Sequence, residues 1–189
     1  MEYLRSREIE IRPMSNHDID LLLLWVNDAS VSPFWYGSHR RIEREELLRD
    51  WADYYFDESE PDKGRCFIIE DRARPVGMIS YTNGGYDLDG GKEIASLDIL
   101  IAGEENQNRG LGTTALKFMT AALLEGMGFE SVLISTYSFN GRMRHCLEKL
   151  GFIEEGSICG IDRTNGEYLE AMVYCLSHNE LRFSSISSQ

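Results

Sequence analysis

The sequence is poor in basic residues and contains no long hydrophobic run. Its 189 residues include 19 Lys and Arg against 32 Asp and Glu, which gives a formal net charge of −13. Proteins that bind nucleic acid need basic surface to neutralise phosphates, so we expect no nucleic-acid partner. No apolar run reaches the roughly 20 residues of a membrane helix, and residues 1–12 lack the apolar segment of a signal peptide. We therefore expect a cytoplasmic protein without a membrane partner.

Cysteine is also scarce, and its spacing excludes two common uses. The four cysteines, Cys66, Cys146, Cys159 and Cys175, are far apart and form no Cys-x-x-Cys pair. This spacing argues against a structural zinc site and against a disulfide framework, so we expect no metal. The overall composition, with 42% hydrophobic and 27% charged residues, is that of an ordinary globular chain.

The acidic excess has two interpretations at this level. An acidic cleft raises the local concentration of a cationic small substrate and speeds its association. A negative surface also simply keeps a protein soluble. The charge alone does not choose between them.

The hydrophobic pattern predicts one mixed α/β domain over residues 1–183, followed by a Ser-rich tail at 184–189. The predicted strands cover 8–12 (an edge strand ended by Pro13), 66–70, 76–82, 94–101, 132–137 and a hairpin of 152–161 with 168–176. The predicted helices cover 19–26, 43–55, 112–126 and 142–150, and 83–91 is predicted to be a loop. The strand-helix-strand unit from 94 to 137 predicts a parallel pair beside antiparallel strands, hence a mixed β-sheet flanked by helices.

The segment between the strand 94–101 and the helix 112–126 is the most informative part of the chain. It contains the sequence QNRGLG at 107–112. Glycines allow the backbone to approach a ligand closely, and the amides of a helix's first turn together with the helix dipole bind anions such as a diphosphate. Arg109 adds a fixed positive charge, and Thr113 and Thr114 add hydroxyl groups.

Three interpretations of this segment compete. The glycines can serve only to end a strand and begin a helix. Gly110, Gly112 and Ala115 also fit the G-x-G-x-x-A pattern of dinucleotide-binding folds. That pattern belongs to the first strand of its sheet, with an acidic residue after the next strand, whereas here it is in mid-chain and the next strand ends in Tyr137-Ser138. A phosphate-binding P-loop is excluded because Gly-Lys-Ser/Thr is absent. The third interpretation is an acyl-CoA site.

The third interpretation depends on a resemblance. QNRGLG matches the Q/R-x-x-G-x-G/A signature of the GNAT acetyltransferases, and Asn140 followed by EKLGF at 148–152 resembles that family's downstream segment. At the front, IRPM at 11–14 and His17-Asp18 resemble its first strand and helix start. The motifs follow family order and spacing, so the chain is identified as similar to this family over residues 9–176.

The two halves of the chain resemble different branches of the family. The segment 166–174 resembles the branch of ribosomal-protein and spermidine acetyltransferases. The segment 97–113 resembles aminoglycoside 6′-N-acetyltransferases instead. The acceptor amine therefore stays open between a polyamine, a protein N-terminus or another small amine, and an aminoglycoside. A homodimer is left open as well.

The resemblance implies direct attack of a primary amine, small-molecule or peptidyl, on the thioester of acetyl-CoA, without a covalent enzyme intermediate. It implies that backbone groups at 100–102 pair with the pantetheine arm like an added strand. It also implies that 107–113 hold the diphosphate and that Asn140 hydrogen-bonds the carrier, although Asn140 is equally suited to capping the next helix. The residues thus assigned to the cofactor are Leu100, Ile101, Ala102, Gln107, Asn108, Arg109, Gly110, Leu111, Gly112, Thr113 and Asn140.

Asp98 is the candidate general base. Strand alternation places Leu97, Ile99 and Ile101 on one face and Asp98 with Leu100 on the other. A carboxylate in so apolar a strand is costly unless it is functional or paired. The aminoglycoside enzymes carry an acid at the same distance from the glycine loop, whereas the ribosomal-protein branch has it one position earlier, at Leu97. The alternative is an ion-paired or solvent-facing Asp.

Two further positions separate an active enzyme from other uses of the fold. Many family members have Tyr as the acid for the leaving thiolate where this chain has Leu147, so Tyr137, Ser138, Cys146 or a water are left as substitutes. That departure motivates the alternative of a non-catalytic acyl-CoA-binding module. Trp35 and Tyr36 fall in the segment that lines the acceptor cleft in this family, where aromatic rings can contact a cation, although core packing also explains them.

Overall fold

The computed structural model describes residues 4–5, 9–36, 41–49, 65–86, 93–161 and 168–178. The strands are β1 (Leu4–Arg5), β2 (Glu10–Pro13), β3 (Arg65–Asp71), β4 (Arg74–Tyr86), β5 (Glu93–Ile101), β6 (Ser131–Tyr137), β7 (Ile153–Ile161) and β8 (Tyr168–Ser177). The helices are α1 (Ile19–Val26), α2 (Ser32–Tyr36), α3 (Arg44–Leu47), α4 (Leu111–Ala121) and α5 (Gly141–Lys149). One π-helical turn, Ala122–Gly126, extends α4.

The strands lie in the order β1-β2-β3-β4-β5-β6-β8-β7. β5 and β6 are parallel, with Ile94 opposite Ser131, while β2 with β3, β3 with β4, and β8 with both β6 and β7 are antiparallel. The predicted mixed sheet with helices and its parallel pair are therefore confirmed. The chain divides into two compact units, residues 1–82 with 98–116 and residues 83–97 with 117–189. The single domain over 1–183 stays a prediction, and its tail at 184–189 lies outside the described residues.

In the first unit, α1, α2 and α3 pack against one face of β3 and β4. α1 begins where Asp18 accepts hydrogen bonds from the Ser15 amide at 2.9 Å and from the Arg12 guanidinium at 2.8 and 3.0 Å. Burial opposes the charged form of Asp18, but these hydrogen bonds outweigh it and lower the pKa of Asp18. These hydrogen bonds connect the start of α1 to Arg12 of β2. The buried cluster comprises Met14, Ile19, Leu22, Trp25, Val26, Val31, Ile42, Leu47, Cys66, Ile68, Met78, Leu100 and Ala102.

The second unit contains the parallel pair and the β7–β8 hairpin. β8 lies between β6 and β7, with Val132 opposite Leu176 and Ile158 opposite Ala171. β7 is the last strand in the order, and its residues 153–160 are exposed. Within the described ranges, no helix is both long and apolar enough to cross a membrane.

Most element bounds agree with the pattern in the sequence. α1 spans the predicted residues 19–26, and β3, β5, β6, α5, β7 and β8 differ from their predicted bounds by one or two residues. α3 begins near the predicted start but spans only Arg44–Leu47, and residues 50–55 of that predicted helix lie outside the described ones. The hairpin turn at 162–166 lies outside them as well.

The prediction that this strand lies at the edge of the sheet was wrong, whereas its predicted end at Pro13 agrees with β2 (Glu10–Pro13). β2 pairs with β3 along its length and with β1 at Glu10 and Ile11. Pro13 is the last residue of β2 and lies opposite Phe67. The amide of Met14 donates to the Cys66 carbonyl oxygen, so the nitrogen of Pro13 points away from β3 and its missing N–H costs no hydrogen bond there.

The predicted loop 83–91 was wrong over its first four residues. β4 continues through Asn83 to Tyr86, and residues 87–91 lie outside the described ranges. A Cβ on Gly84 would lie 3.1 Å from the carbonyl oxygen of Ile94, so β5 passes close against this glycine. Pairing with a neighbouring strand thus overrides the turn preference of the Asn-Gly-Gly sequence.

Candidate active site

Asp98 lies on β5, in the stretch of that strand that belongs to the first unit. On one face of β5, Ile99 and Ile101 approach α4, because a Cβ on Gly112 would lie 4.0 and 3.4 Å from their side chains. On the other face Leu100 enters the buried cluster with Cys66. Alternation puts Asp98 on the same face as Leu100, as the sequence predicts.

The surroundings of Asp98 favour its protonated form. The side chain is half-buried, and burial raises the pKa of its carboxyl group. Within the described ranges no basic side chain pairs with it, so the alternative of an ion-paired Asp has no support there. The thiol of Cys66 has its pKa raised by burial and further by the charges of Asp18 and Asp98. Cys66 therefore stays a neutral thiol on the face that carries Asp98.

Trp35 and Tyr36 lie on α2 and pack, half-buried, against this same cluster. The two rings thus pack against the core, as one of the two interpretations predicts. The cluster also contains Leu100, two residues from Asp98, so the rings and the carboxylate are associated with one face of the first unit. A role for these rings in acceptor binding remains a prediction.

The loop between β5 and α4 is shaped by residues in left-handed conformations. Gly103 has φ 78°, Asn108 φ 59° and Gly110 φ 80°. The amide of Thr114 donates to the Gly110 carbonyl oxygen at 2.9 Å, which makes Gly110 the capping residue of α4. The amides that follow Gly110 form the first turn, where helix geometry supplies no acceptor from within the helix.

Arg109 is anchored by two side chains. Its Nη2 lies 2.7 Å from Asp71 Oδ2, at the end of β3, and its Nη1 lies 3.3 Å from Asn106 Oδ1. Asn106 in turn donates from Nδ2 to the carbonyl oxygen of Ala102 at 2.8 Å. The guanidinium is 43% exposed while Asp71 is only 14% exposed, so Arg109 is fixed in direction yet reachable by solvent. The sequence alone did not indicate Asp71, which is 38 residues away from Arg109 along the chain.

The three backbone positions predicted to pair with the pantetheine arm differ in which of their N–H and C=O groups are already hydrogen-bonded within the protein. The Ala102 amide donates to the carbonyl oxygen of Val76 at 2.9 Å, and its own carbonyl oxygen accepts from Asn106. The Leu100 carbonyl oxygen lies against Gly77 of β4. Antiparallel pairing with β4 therefore directs the N–H and C=O groups of Ile101 away from that strand. Ile101 is the position best suited to an added strand.

Comparison with known proteins adds independent findings. Residues 8–153 match the family model described as an acetyltransferase (GNAT) domain. The chain belongs to this family. It is 22% identical to spermidine N(1)-acetyltransferase of Escherichia coli (strain K12), over 93% of this chain and 89% of that one. It is also 22% identical to aminoglycoside N(6′)-acetyltransferase type 1 of Klebsiella pneumoniae, over 79% of this chain and 76% of that one.

Solved structures agree with the family. A spermidine N-acetyltransferase from Vibrio cholerae in complex with CoA and spermine superposes with a TM-score of 0.76 at 18% identity, covering 94% of this chain and 99% of that one. An aminoglycoside acetyltransferase in complex with coenzyme A gives 0.73 at 19% identity over the same shares. The GNAT fold is confirmed, as are the predicted enzyme class, transfer of acetyl to an amine, and acetyl-CoA as donor. Among the described residues, no group of three or more His, Cys, Asp or Glu could hold a metal ion.

In this GNAT chain Asn140 caps helix α5, in the second unit. Its Oδ1 accepts from the Met143 amide at 3.2 Å, and its Nδ2 donates to Thr136 Oγ1 at 3.1 Å. The capping interpretation of Asn140 is therefore confirmed. A contact of Asn140 with the carrier remains a prediction.

Asn140→Ala is expected to cost about 1 kcal/mol of unfolding free energy, because the cap and its acceptor are lost. Asn140→Asp keeps an acceptor for the Met143 amide and should retain most of that free energy. Urea unfolding of the three proteins measures the difference. Equal stability of Asn140→Ala and the unmodified enzyme would contradict the capping role.

The positions weighed for the leaving-thiolate acid also lie in the second unit. Leu147 is fully buried, as a packing residue of α5. Tyr137 stacks on Phe139 with ring centroids 5.3 Å apart, the Ser138 amide donates to the Glu170 carbonyl oxygen, and Cys146 is half-buried. No one of the three is singled out by these contacts.

Proposed function

We propose that this acetyltransferase acetylates a small cationic amine, with Asp98 as the group that takes up the amine's proton. The observation that carries the proposal is the half-buried Asp98 carboxyl group, whose pKa is raised by burial and which no basic side chain among the described residues neutralises. It shares its face of the first unit with a cluster against which Trp35 and Tyr36 pack. A carboxylate beside aromatic rings suits an ammonium group.

The chemistry requires such a group. An alkylammonium ion with a pKa of about 10.4 has no lone pair and must lose a proton before it can attack. The neutral nitrogen then attacks the thioester carbonyl carbon, the carbon–sulfur bond breaks, and the thiolate of CoA leaves. A carboxylate with a raised pKa is a stronger base than an ordinary Asp, so the position of Asp98 fits the role of proton acceptor.

The loop at 107–113 is proposed to bind the acetyl donor, acetyl-CoA. The amides after Gly110 and the dipole of α4 face the diphosphate of acetyl-CoA, and Arg109 contributes its charge from the position fixed by Asp71. Ile101 offers its backbone groups to the pantetheine arm as a strand edge does. Gln107, Asn108, Leu111, Gly112 and Thr113 complete the proposed contacts.

The proposed acceptor is a polyamine or an aminoglycoside, since relatives named for both kinds of substrate match this chain. The net charge of −13 supports a polycation over a neutral amine. We also propose a cytoplasmic enzyme, which agrees with four cysteines that are in the reduced form. We propose that the enzyme forms a homodimer. Sedimentation equilibrium measures its oligomeric state and tests this.

The test is release of CoA thiol from acetyl-CoA with four groups of acceptors: spermidine, kanamycin-type aminoglycosides, free amino acids, and peptides that begin with Ala or Ser. We expect turnover with polycations, and a KM for the polycation that rises with ionic strength because screening weakens the attraction. Turnover confined to peptides would refute the cationic acceptor. No thiol release with any amine would refute the proposal as a whole.

Arg109→Gln is expected to raise the KM for acetyl-CoA about tenfold or more, because charge-assisted hydrogen bonds to phosphate contribute about 1.5–3 kcal/mol. The KM for the amine should change little. Arg41→Gln is the matched control, since Arg41 is exposed and its ion pair with Glu43 spans 3.9 Å. Initial rates at varied acetyl-CoA measure the effect, and an unchanged KM in Arg109→Gln would refute the contact.

A further inference from the structure

Ser80 of β4 is a buried hydroxyl on the face that carries Asp98. It lies opposite Cys66 in the β3–β4 register, so the two side chains point to the same side of the sheet. Met78, two residues earlier on β4, shares that face, and its Sδ lies 3.7 Å from the Sγ of Cys66. Ser80 therefore faces the same side as the cluster beneath α1.

The register of β4 and β5 places Ser80 beside Asp98. The Ala102 amide donates to Val76, which makes these two residues partners, and Gly77 lies against Ile101 in the next position. Counting three residues further along each antiparallel strand brings Ser80 opposite Asp98. The pairing of β4 with β3 runs without a shift from Gly77 to Tyr81, so no extra residue interrupts β4 over this stretch.

Three neighbouring strands thus carry a row of polar groups. Cys66 is on β3, Ser80 on β4 and Asp98 on β5. The charge of Asp98 acts on the thiol of Cys66, which agrees with their location on one face with Ser80 between them. Opposed side chains in such a pair have Cβ atoms about 4.5–5.5 Å apart, a distance that a water molecule can bridge.

The hydroxyl of Ser80 has an unused hydrogen-bonding capacity. Ser80 is 0% exposed, and among the residues that the structure describes its Oγ has no hydrogen-bond partner. Buried hydroxyls are nearly always hydrogen-bonded, since leaving one unpaired costs about 1–3 kcal/mol. Asp98 stands beside it but is not bonded to it.

We propose that Ser80 is a further residue of the acceptor site and, with Asp98, holds a water molecule that carries the amine's proton. This inference rests on the proposed function of Asp98. The ammonium gives a proton to the water as the water gives one to the carboxylate, so the water is restored and the amine keeps its lone pair for attack. Ser80 holds the oxygen of that water in line and itself gains or loses no proton.

Ser80→Ala tests the proposal against a matched variant. Thr120 of α4 is 2% exposed, and its hydroxyl likewise has no partner among the described residues. Ser80→Ala and Thr120→Val each remove one such hydroxyl at nearly constant volume, so neither should lower the melting temperature. We expect Ser80→Ala to lower kcat/KM for spermidine about tenfold, within the range of proton-transfer contributions, with an unchanged KM for acetyl-CoA. Thr120→Val should match the unmodified enzyme.

The pH profile separates a role in proton transfer from a structural one. Without the bridged water, the charged form of Asp98 loses a hydrogen bond, so the acid limb of kcat/KM should move to higher pH in Ser80→Ala. Among the residues that the structure describes, the other titratable groups associated with this face are Cys66 of β3, Tyr36 of α2 and Asp18 before α1, which pairs with Arg12. They remain in the variant, so the change is attributable to Ser80.

The outcomes are distinguishable. If Ser80→Ala and Thr120→Val have the same rates and pH profile, the role of Ser80 is refuted. If Asp98→Asn keeps full activity, the proposed base is refuted, whatever Ser80→Ala does. A loss of activity in Asp98→Asn together with an unaffected Ser80→Ala overturns the inference about Ser80 alone. A lower kcat/KM with a shifted acid limb supports it.

Discussion

Asp98→Asn is expected to lower kcat for amine acetylation by roughly 10²-fold or more, the range in which a general base contributes. The amide cannot accept the proton, while its shape and its place on β5 are kept. The KM for acetyl-CoA should stay nearly constant, because Asp98 points to the opposite face from α4 and its loop. Steady-state rates with each substrate varied in turn measure both quantities.

The pH dependence follows from the direction of the pKa shift. Burial raises the pKa of Asp98, and the active form is the carboxylate, so activity should rise with pH through a limb that lies above the ordinary Asp value of about 3.9. That limb should disappear in Asp98→Asn. Its presence, unmoved, in the variant would show that a different group is the base.

The same shift predicts how stability changes. An acid whose folded pKa is raised contributes stability below its unfolded pKa and loses it as pH rises through the folded value. At neutral pH the buried charge of Asp98 is therefore a cost, and Asp98→Asn should be as stable as the unmodified enzyme or more so. Asp20→Asn is the control for a surface carboxylate, since Asp20 is exposed and pairs with Arg44. A strong loss of stability in Asp98→Asn would mean that the carboxylate has a structural partner.

Asp98 and the loop at 107–113 were predictable because their signals are local. Asp98 is the one polar side chain in the otherwise apolar stretch from Leu97 to Ile101 of a single strand. Two glycines between a strand and a helix predict an anion site within six residues, and the Asn140 cap is likewise predicted from the helix that follows it. Contacts within one helix, strand or connecting loop involve residues that are close in sequence, so the sequence pattern predicts them.

Asp71 and Ser80 were not predictable in this way. Asp71 matters because β3 ends beside the loop that carries Arg109, and Ser80 because β4 lies between Cys66 and Asp98. Both depend on which strands pair and in which register, and a single sequence does not state that pairing. The wrong prediction of a loop over Asn83–Tyr86 has the same cause. Pairing with β5 keeps this segment in β4, although its composition favours a turn.

Gly77→Ala is expected to destabilise the enzyme by about 3 kcal/mol, at the upper end of overpacking effects. A Cβ at this position would lie 2.2 Å from the Leu100 carbonyl oxygen and 3.1 Å from the Ile101 Cα. Both atoms belong to the backbone, so relief requires β4 and β5 to separate. The hydrogen bond from Ala102 to Val76 is one residue away and would be strained as well. For a chain of this size the melting temperature should fall by roughly 10 °C.

Gly160→Ala is the control for Gly77→Ala, because a Cβ on Gly160 of β7 would meet no atom within 4 Å. It should unfold at nearly the temperature of the unmodified enzyme. Gly77→Ala should also lose activity out of proportion to its loss of fold, measured at a temperature where it is still folded, since Ser80, Asp98 and Ile101 all depend on the β4–β5 register. Stability of Gly77→Ala equal to that of Gly160→Ala would mean that the two strands are not so close. The register that places Ser80 beside Asp98 would then be wrong too.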